Sequence, residues 1–263
     1  MDIGISTASL FMREYNEDAL VTLDNLDARV VEVFLQSFSE YKPEYGKLLK
    51  SRQGNLRVHS IHVHTLTFET ELFTVNERAW HDVYPIFTDV LHIANMLGAT
   101  CYTLHGRARI KHNGTYDDFI KIGKILDKLC DITDDYGVDM CLENVPWALY
   151  NRPGYFSGDK EYAPRLKGTL DIKQARLSGY DYADYIADMG ANIKTVHLSD
   201  IDENGKICLP GRGIFDFSRL FERLKDAGVY ADLLIEVYKD DYSQVEELKD
   251  SLDYLRELQY KIF

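Results

Sequence analysis

Val138-Asp139-Met140-Cys141-Leu142 runs into Glu143-Asn144, a short apolar strand that stops on a carboxylate and an amide. Just upstream, in residues 117–136, Phe119, Ile122, Leu126, Leu129 and Tyr136 share one helical face, and Gly137 stands where that helix should end. Helix, glycine, strand and terminal charge together make the repeating unit of a parallel sheet with crossover helices. The unit recurs downstream. Gly168-Thr169-Leu170 runs into Asp171, Ile193-Lys194-Thr195-Val196 into His197, and Leu233-Leu234-Ile235 into Glu236. Gly190 and Gly228 mark two further helix exits directly before strands.

Reading the whole chain in this way gives eight strands, at residues 3–6, 30–35, 56–63, 100–104, 138–142, 168–170, 193–196 and 233–237, separated by helical segments. The last helix is expected to open on a capping box made by Ser243 and Glu246. A doubly wound open sheet shares this alternation, but no glycine-rich phosphate loop follows the first strand. The strand count and the length of 263 residues favour an α/β fold of one (β/α)8 TIM barrel, with residues 1–263 as a single domain. One connection is longer than the others. Residues 146–165 carry Trp147, Tyr150, Tyr155, Phe156 and Tyr162, which suit either a lid over a small ligand or a packed excursion along the rim.

In a parallel barrel, Glu143, Asp171, His197 and Glu236 would all stand at the same mouth. Carboxylates crowded into a partly dry site repel, and each unpaired buried charge costs several kcal/mol, so protons or a cation must intervene. Three carboxylates and one imidazole form a hard, oxygen-rich set. It suits one divalent ion, Mn²⁺, Zn²⁺, Co²⁺ or Mg²⁺, with open positions left for water or substrate. His62 and His64 alternate on the third strand and so point to one face, and His105 ends the fourth. With Trp147 from the long connection and Arg212, they are candidate substrate contacts. Glu32 on the second strand reads either as a site residue or as an interior carboxylate paired with Arg or Lys.

The formal charge of −13, with 30 Lys and Arg against 43 Asp and Glu, is the wrong balance for gripping a nucleic-acid backbone. Four cysteines, Cys101, Cys130, Cys141 and Cys208, lie scattered without metal-site spacing and read as reduced thiols. No apolar run approaches the roughly 20 residues of a membrane span, and Met1-Asp2-Ile3-Gly4 has no basic signal region. A cytoplasmic protein is therefore expected. Aromatics taken as exposed in 146–165 leave room for a homo-oligomer.

At these residues the sequence resembles the xylose-isomerase-like superfamily of TIM barrels, which includes sugar isomerases and epimerases, inosose dehydratases and the endonuclease IV repair enzymes. The resemblance rests on Ser60-Ile61-His62, Leu104-His105-Gly106, Cys141-Leu142-Glu143-Asn144, Thr169-Leu170-Asp171, Val196-His197-Leu198-Ser199-Asp200, Leu209-Pro210-Gly211-Arg212-Gly213 and Ile235-Glu236. It implies that Glu143, Asp171, His197 and Glu236 hold one metal and that the two glutamates form the acid/base pair. It places His62 and His105 where the endonuclease branch binds zinc and the single-metal branch faces substrate. Two departures stand out. Gln174 occupies a position where the endonucleases, and as far as it corresponds the epimerases, have histidine, and residues 204–208 lack the endonucleases' Asp-x-His pair.

These features imply an isomerase or epimerase of a small sugar or polyol, working by proton transfer beside a carbonyl through an enediolate. Arg212 and His105 are candidates to steady the developing oxyanion. Three other readings are carried: a metal-dependent dehydratase or lyase, an endonuclease IV-like phosphodiester hydrolase, and a barrel that binds a sugar without turnover.

Overall fold

The computed structural model describes residues 1–64, 68–109 and 118–263. Its centre is a closed, all-parallel barrel of β1 (Ile3–Ser6), β2 (Val30–Leu35), β3 (Arg57–Val63), β4 (Cys101–Leu104), β5 (Asp139–Glu143), β6 (Lys167–Asp171), β7 (Ile193–Leu198) and β10 (Asp232–Ile235). Closure comes from β1 pairing with both β2 and β10, with Ile3 opposite Leu233 and Ile5 opposite Ile235. A two-stranded antiparallel ribbon, β8 (Asp200–Ile201) with β9 (Ile207–Cys208), extends the loop after β7. The outer layer is α1 (Asn16–Asn25), α2 (Pro43–Arg52), α3 (Glu77–Leu97), α4 (Phe119–Asp134), α5 (Tyr155–Lys160), α6 (Ile172–Leu177), α7 (Tyr182–Met189), α8 (Phe217–Asp226) and α9 (Glu247–Ile262). Among the described residues, no helix is long and apolar enough to cross a membrane.

The expected strands all form, with ends moved by a residue or two, and β5 and β6 extend to include Glu143 and Asp171 themselves. Helices dock through the stripes their periodicity announces. In α4, Ile122, Leu126, Leu129 and Cys130 are buried, each large apolar side chain contributing about 1.5–3 kcal/mol. The start of α4 is set by Asp118, whose side chain caps the Lys121 N–H, while the Asp117 of the sequence reading lies outside the described residues. At the opposite end of the barrel, β1 runs so close to β2 that a Cβ on Gly4 would fall 1.9 Å from the Val30 carbonyl oxygen. Only glycine fits there.

Two expectations need correction. α9 does not begin with a box between Ser243 and Glu246. Instead Glu247 reaches back, its Oε1 accepting from the Ser243 and Gln244 N–H groups at 3.0 and 2.6 Å. The carboxylate one residue later can reach two free donors, whereas Glu246 itself occupies the cap position. The long connection is also less exposed than its aromatic content suggested: Tyr150, Tyr155 and Phe156 are buried, and only Tyr162 is appreciably exposed, at 36%. Asp188 of α7 anchors it, accepting from the Tyr150 hydroxyl and the Gly154, Phe156 and Ser157 N–H groups. This is a rim excursion packed onto the helical layer, and its buried rings no longer supply the surface on which an oligomer was argued. Cys101, Cys130 and Cys141 are buried free thiols and Cys208 is half-buried.

Candidate metal centre

Parallel strands deliver their C-terminal residues to one mouth. Glu143 ends β5, Asp171 ends β6, His197 lies in β7, and Glu236 directly follows β10. All four are buried, and each offers a ligand atom within 4.8 Å of the other three. His197 Nδ1 is the focus: Glu143 Oε1 lies 3.0 Å away, Glu236 Oε2 2.5 Å and Asp171 Oδ2 3.9 Å. A single N–H cannot serve three carboxylates. Only the Glu143 contact has hydrogen-bond geometry, and Glu236 Oε2 is left without a hydrogen-bond partner. Oxygens and a ring nitrogen crowded about one point, with an orphaned buried oxygen, fit a divalent cation better than they fit one another. Asn144 holds two of the strand ends in register, its amide accepting from Asp171 N and donating to Asp171 O at 2.8 and 2.9 Å. Asp171 Oδ1 is also the cap of α6, accepting from the Gln174 N–H at 2.8 Å.

Beneath this set sits Glu32, fully buried in β2. It lies 3.2–3.3 Å from His197 Nε2 and accepts from Ser6 Oγ, Ser60 Oγ and Thr103 Oγ1 at 3.0, 2.7 and 3.0 Å. A carboxylate on Nε2 fixes the proton there and leaves the Nδ1 lone pair for an ion, while raising the basicity of the ring. From sequence Glu32 reads as a site residue or as an interior carboxylate paired with Arg or Lys. Its partners are instead two histidines and three hydroxyls, His62 Nδ1 being 3.4 Å away.

His62 and His105 face each other, Nε2 to Nε2 at 2.9 Å, and lie 3.8 and 3.5 Å from Glu143 Oε2. With Glu143 they form a second compact group of donor atoms. Glu69, which sequence reasoning missed, orients this pair. It accepts from His105 N at 3.1 Å, lies 3.1 Å from His105 Nδ1, and accepts from the Tyr102 hydroxyl at 2.8 Å. Its signal was weak because Glu69 lies in a short 3₁₀ turn (Glu69–Phe73) rather than at a strand end.

Electrostatics follow from the crowding. Burial opposes the charged form of His197, but Glu236 and Glu32 outweigh it and hold the ring well above its usual value. Burial likewise opposes protonated His62, yet Glu32, with Glu143 and Glu236, lifts it to about 9. For Asp171 burial dominates and pushes the carboxyl up to about 6, against the pull of Lys173. Glu236, also opposed by burial, is held at about 2 by His197 and Lys173.

The remaining candidates divide. Trp147 lies beside His105, ring centroids 5.2 Å apart, at the edge of the cluster. His64 lies just past the end of β3 and packs among aromatics, its ring centroid 5.8 Å from that of Phe11 (tilted) and 5.9 Å from that of Phe34 (edge-on). Arg212 is not brought in: its guanidinium is half-exposed and pairs with Asp250 at 3.0 Å. What orders its loop is Asp200, whose carboxylate accepts from the Ile201, Gly211, Gly213 and Phe215 N–H groups. A second residue missed from sequence is Lys173, buried beside Asp171.

With this geometry in place, the family profile of xylose isomerase-like TIM barrels matches residues 22–258. The chain belongs to that family. Among solved structures, this xylose isomerase-like barrel is similar to D-psicose 3-epimerase from Clostridium cellulolyticum, at 15% identity over 98% of this chain and 99% of that one, with a TM-score of 0.81. It is similar to the IolI protein with a bound zinc atom, at 16% identity over 100% and 99%, TM-score 0.77. It also resembles 3-keto-D-glucoside 4-epimerase YcjR from E. coli, at 15% identity over 98% and 99%, TM-score 0.75. At such identities these likenesses are ones of fold. No curated protein matches the sequence.

Proposed function

We propose that this xylose isomerase-like barrel is a divalent-metal-dependent isomerase or epimerase of a small sugar or polyol, with Glu143, Asp171, His197 and Glu236 as ligands of one ion. The carrying observation is that Glu143 and Glu236 reach one point, His197 Nδ1, from strands separated by β6 and β7 in the barrel. The ion, Mn²⁺, Zn²⁺, Co²⁺ or Mg²⁺, would polarise the carbonyl of a chelated hydroxy-ketone or hydroxy-aldehyde. A substrate seated between the two glutamates shows a different face to each. One, as carboxylate, takes the carbon-bound proton, and the other, as the acid, returns one. His62, His105 and Trp147 line the same mouth and would contact hydroxyls. The D-psicose 3-epimerase and 3-keto-D-glucoside 4-epimerase neighbours support this reading, and the zinc in IolI supports an ion at the mouth.

The test is solvent deuterium incorporation into ketohexoses, ketopentoses and inososes by Mn²⁺-loaded protein. Glu143→Gln and Glu236→Gln should each lower exchange by about 10²–10⁴-fold, the usual worth of a general acid or base. Undiminished exchange in both variants, with metal retained, would place the proton transfer elsewhere. A second reading, phosphodiester hydrolysis on a multinuclear centre, draws on the His62, His105 and Glu143 group. Metal analysis separates the two: one ion per chain supports the epimerase reading, and two or three the hydrolase.

A further inference from the structure

Lys173 is the second residue after Asp171, and its side chain is 95% buried. Its Nζ lies 3.8 Å from Asp171 Oδ2, beyond hydrogen-bond reach, and 4.6 Å from the centroid of the Tyr238 ring. It has no hydrogen-bond partner among the described residues. An ammonium carries three donors, and leaving them unused in a dry site is unfavourable unless something else accepts them. Nearby carboxylates compensate the charge, since Asp171, Glu236 and Glu143 all act on it. They do not use its hydrogen bonds. The cation-π contact with Tyr238 is also sequence-local to the site, two residues beyond Glu236. Gln174, the next residue, is occupied at its backbone by the Asp171 cap and stands where the resemblance implied a histidine.

We propose that Lys173 is a substrate-binding residue of this site, whose free donors take the substrate oxygen that gains negative charge as the neighbouring carbon loses its proton. The assignment rests on the epimerase reading and deepens it. The C–H bond breaks, the proton goes to one glutamate, and the electron pair moves onto the carbonyl oxygen. Lys173 donates a hydrogen bond to that oxygen and keeps its own proton. The pair then returns to carbon as the other glutamate delivers its proton. A donor fixed in a water-poor site strengthens as charge develops, so its contribution falls on kcat rather than on ground-state binding.

The experiment compares wild type, Lys173→Met and Lys173→Gln at saturating Mn²⁺, following deuterium exchange into the ketose panel, metal content and sugar binding by calorimetry. The expected result is a fall of about 10²–10³-fold in kcat for K173M, with a much smaller change in KM and one ion still bound. K173Q, a neutral donor of similar reach, should keep part of the rate. Lys173→Ala should regain activity when methylammonium or ethylammonium is added, which a lysine that only balances charge would not allow. A K173M enzyme with unchanged kcat overturns the assignment. So does one whose deficit appears only below saturating Mn²⁺, for the lysine then serves the metal alone. If K173M fails to fold, amine rescue of K173A and the K173Q rate decide the matter. A wild type that neither binds nor exchanges any panel sugar sinks the epimerase reading and the lysine role together. A wild type that turns over beside an unimpaired variant sinks only the latter.

Discussion

His197→Ala and Asp171→Ala each remove a ligand and leave the other three in place, so both are expected to lose most bound metal in elemental analysis of Mn²⁺-reconstituted protein. Unchanged content in both would remove the proposed centre. Glu32→Gln probes a residue outside the proposed ligand set: losing the carboxylate behind His197 Nε2 should weaken metal binding about 10–100-fold, measured by competition with a chelator. The pH dependence has a definite sign. Asp171, lifted to about 6 chiefly by burial, takes up a proton below that value, and a ligand must be deprotonated to bind. His197, held well above its usual value, must likewise shed a proton to ligate, so apparent metal affinity should fall across the whole range as pH drops from 8 to 5, which titrations over that range would show. At this scale the four proposed ligands were legible because each stands within a residue of the C-terminal end of an apolar strand. Glu32 was named but left undecided and Glu69 was missed, since their partners come from other strands or loops; Lys173 was missed because proximity to Asp171 in sequence does not tell whether a lysine is buried. Glu32 lies 165 residues from His197.

Helices and connections were read well where period and punctuation agreed, as in α4, and less well where a contact beyond the element decided the outcome. The α9 cap shifted by one residue because Glu247, not Glu246, reaches the free N–H groups. Residues 146–165 proved to be packed rather than lid-like because Asp188, from a later helix, gathers their donors. The same region carries a liability. Asp159 of α5 is pushed up to about 7, first by burial and then by the charge of Asp188. Between its ordinary value of 3.8 and about 7 the folded chain holds a proton that the unfolded chain releases, so this group's stabilising contribution shrinks as pH rises through that window. Asp159→Asn should flatten that part of the melting-temperature profile. At pH 8 it should raise Tm by roughly 4 °C or more, for an order of 2 kcal/mol. A lower Tm at pH 8 would contradict this. Gly4→Ala should act oppositely, destabilising by about 3 kcal/mol in urea unfolding because backbone, not a yielding side chain, blocks the new methyl.

For the molecule as a whole, alternation left an open sheet and a barrel in competition, and eight strands in 263 residues with no glycine-rich loop after the first favoured the barrel that forms. Its charge carries a prediction of its own: with −13 overall, incision of abasic duplex DNA should be weak or absent. Efficient salt-sensitive cleavage, lost in Glu143→Ala, would overturn it. The layer around Glu32 has a different consequence. That carboxylate takes hydroxyls from β1, β3 and β4 and faces imidazoles from β3 and β7, so its full set of partners is assembled only when both halves of the chain are present. A fragment ending after β4 would keep the buried carboxylate and His62 but lose His197, the imidazole nearer to it, at a cost of several kcal/mol. The gene is thus poorly suited to division at its midpoint into self-sufficient halves. The first and last barrel strands, by contrast, are hydrogen-bonded neighbours, and Gln259 near one terminus donates to the Met1 carbonyl near the other. Joining residue 263 to residue 1 and opening the chain at an exposed loop beneath the barrel would leave the polar plug intact, so circular permutants should fold where half-barrels do not.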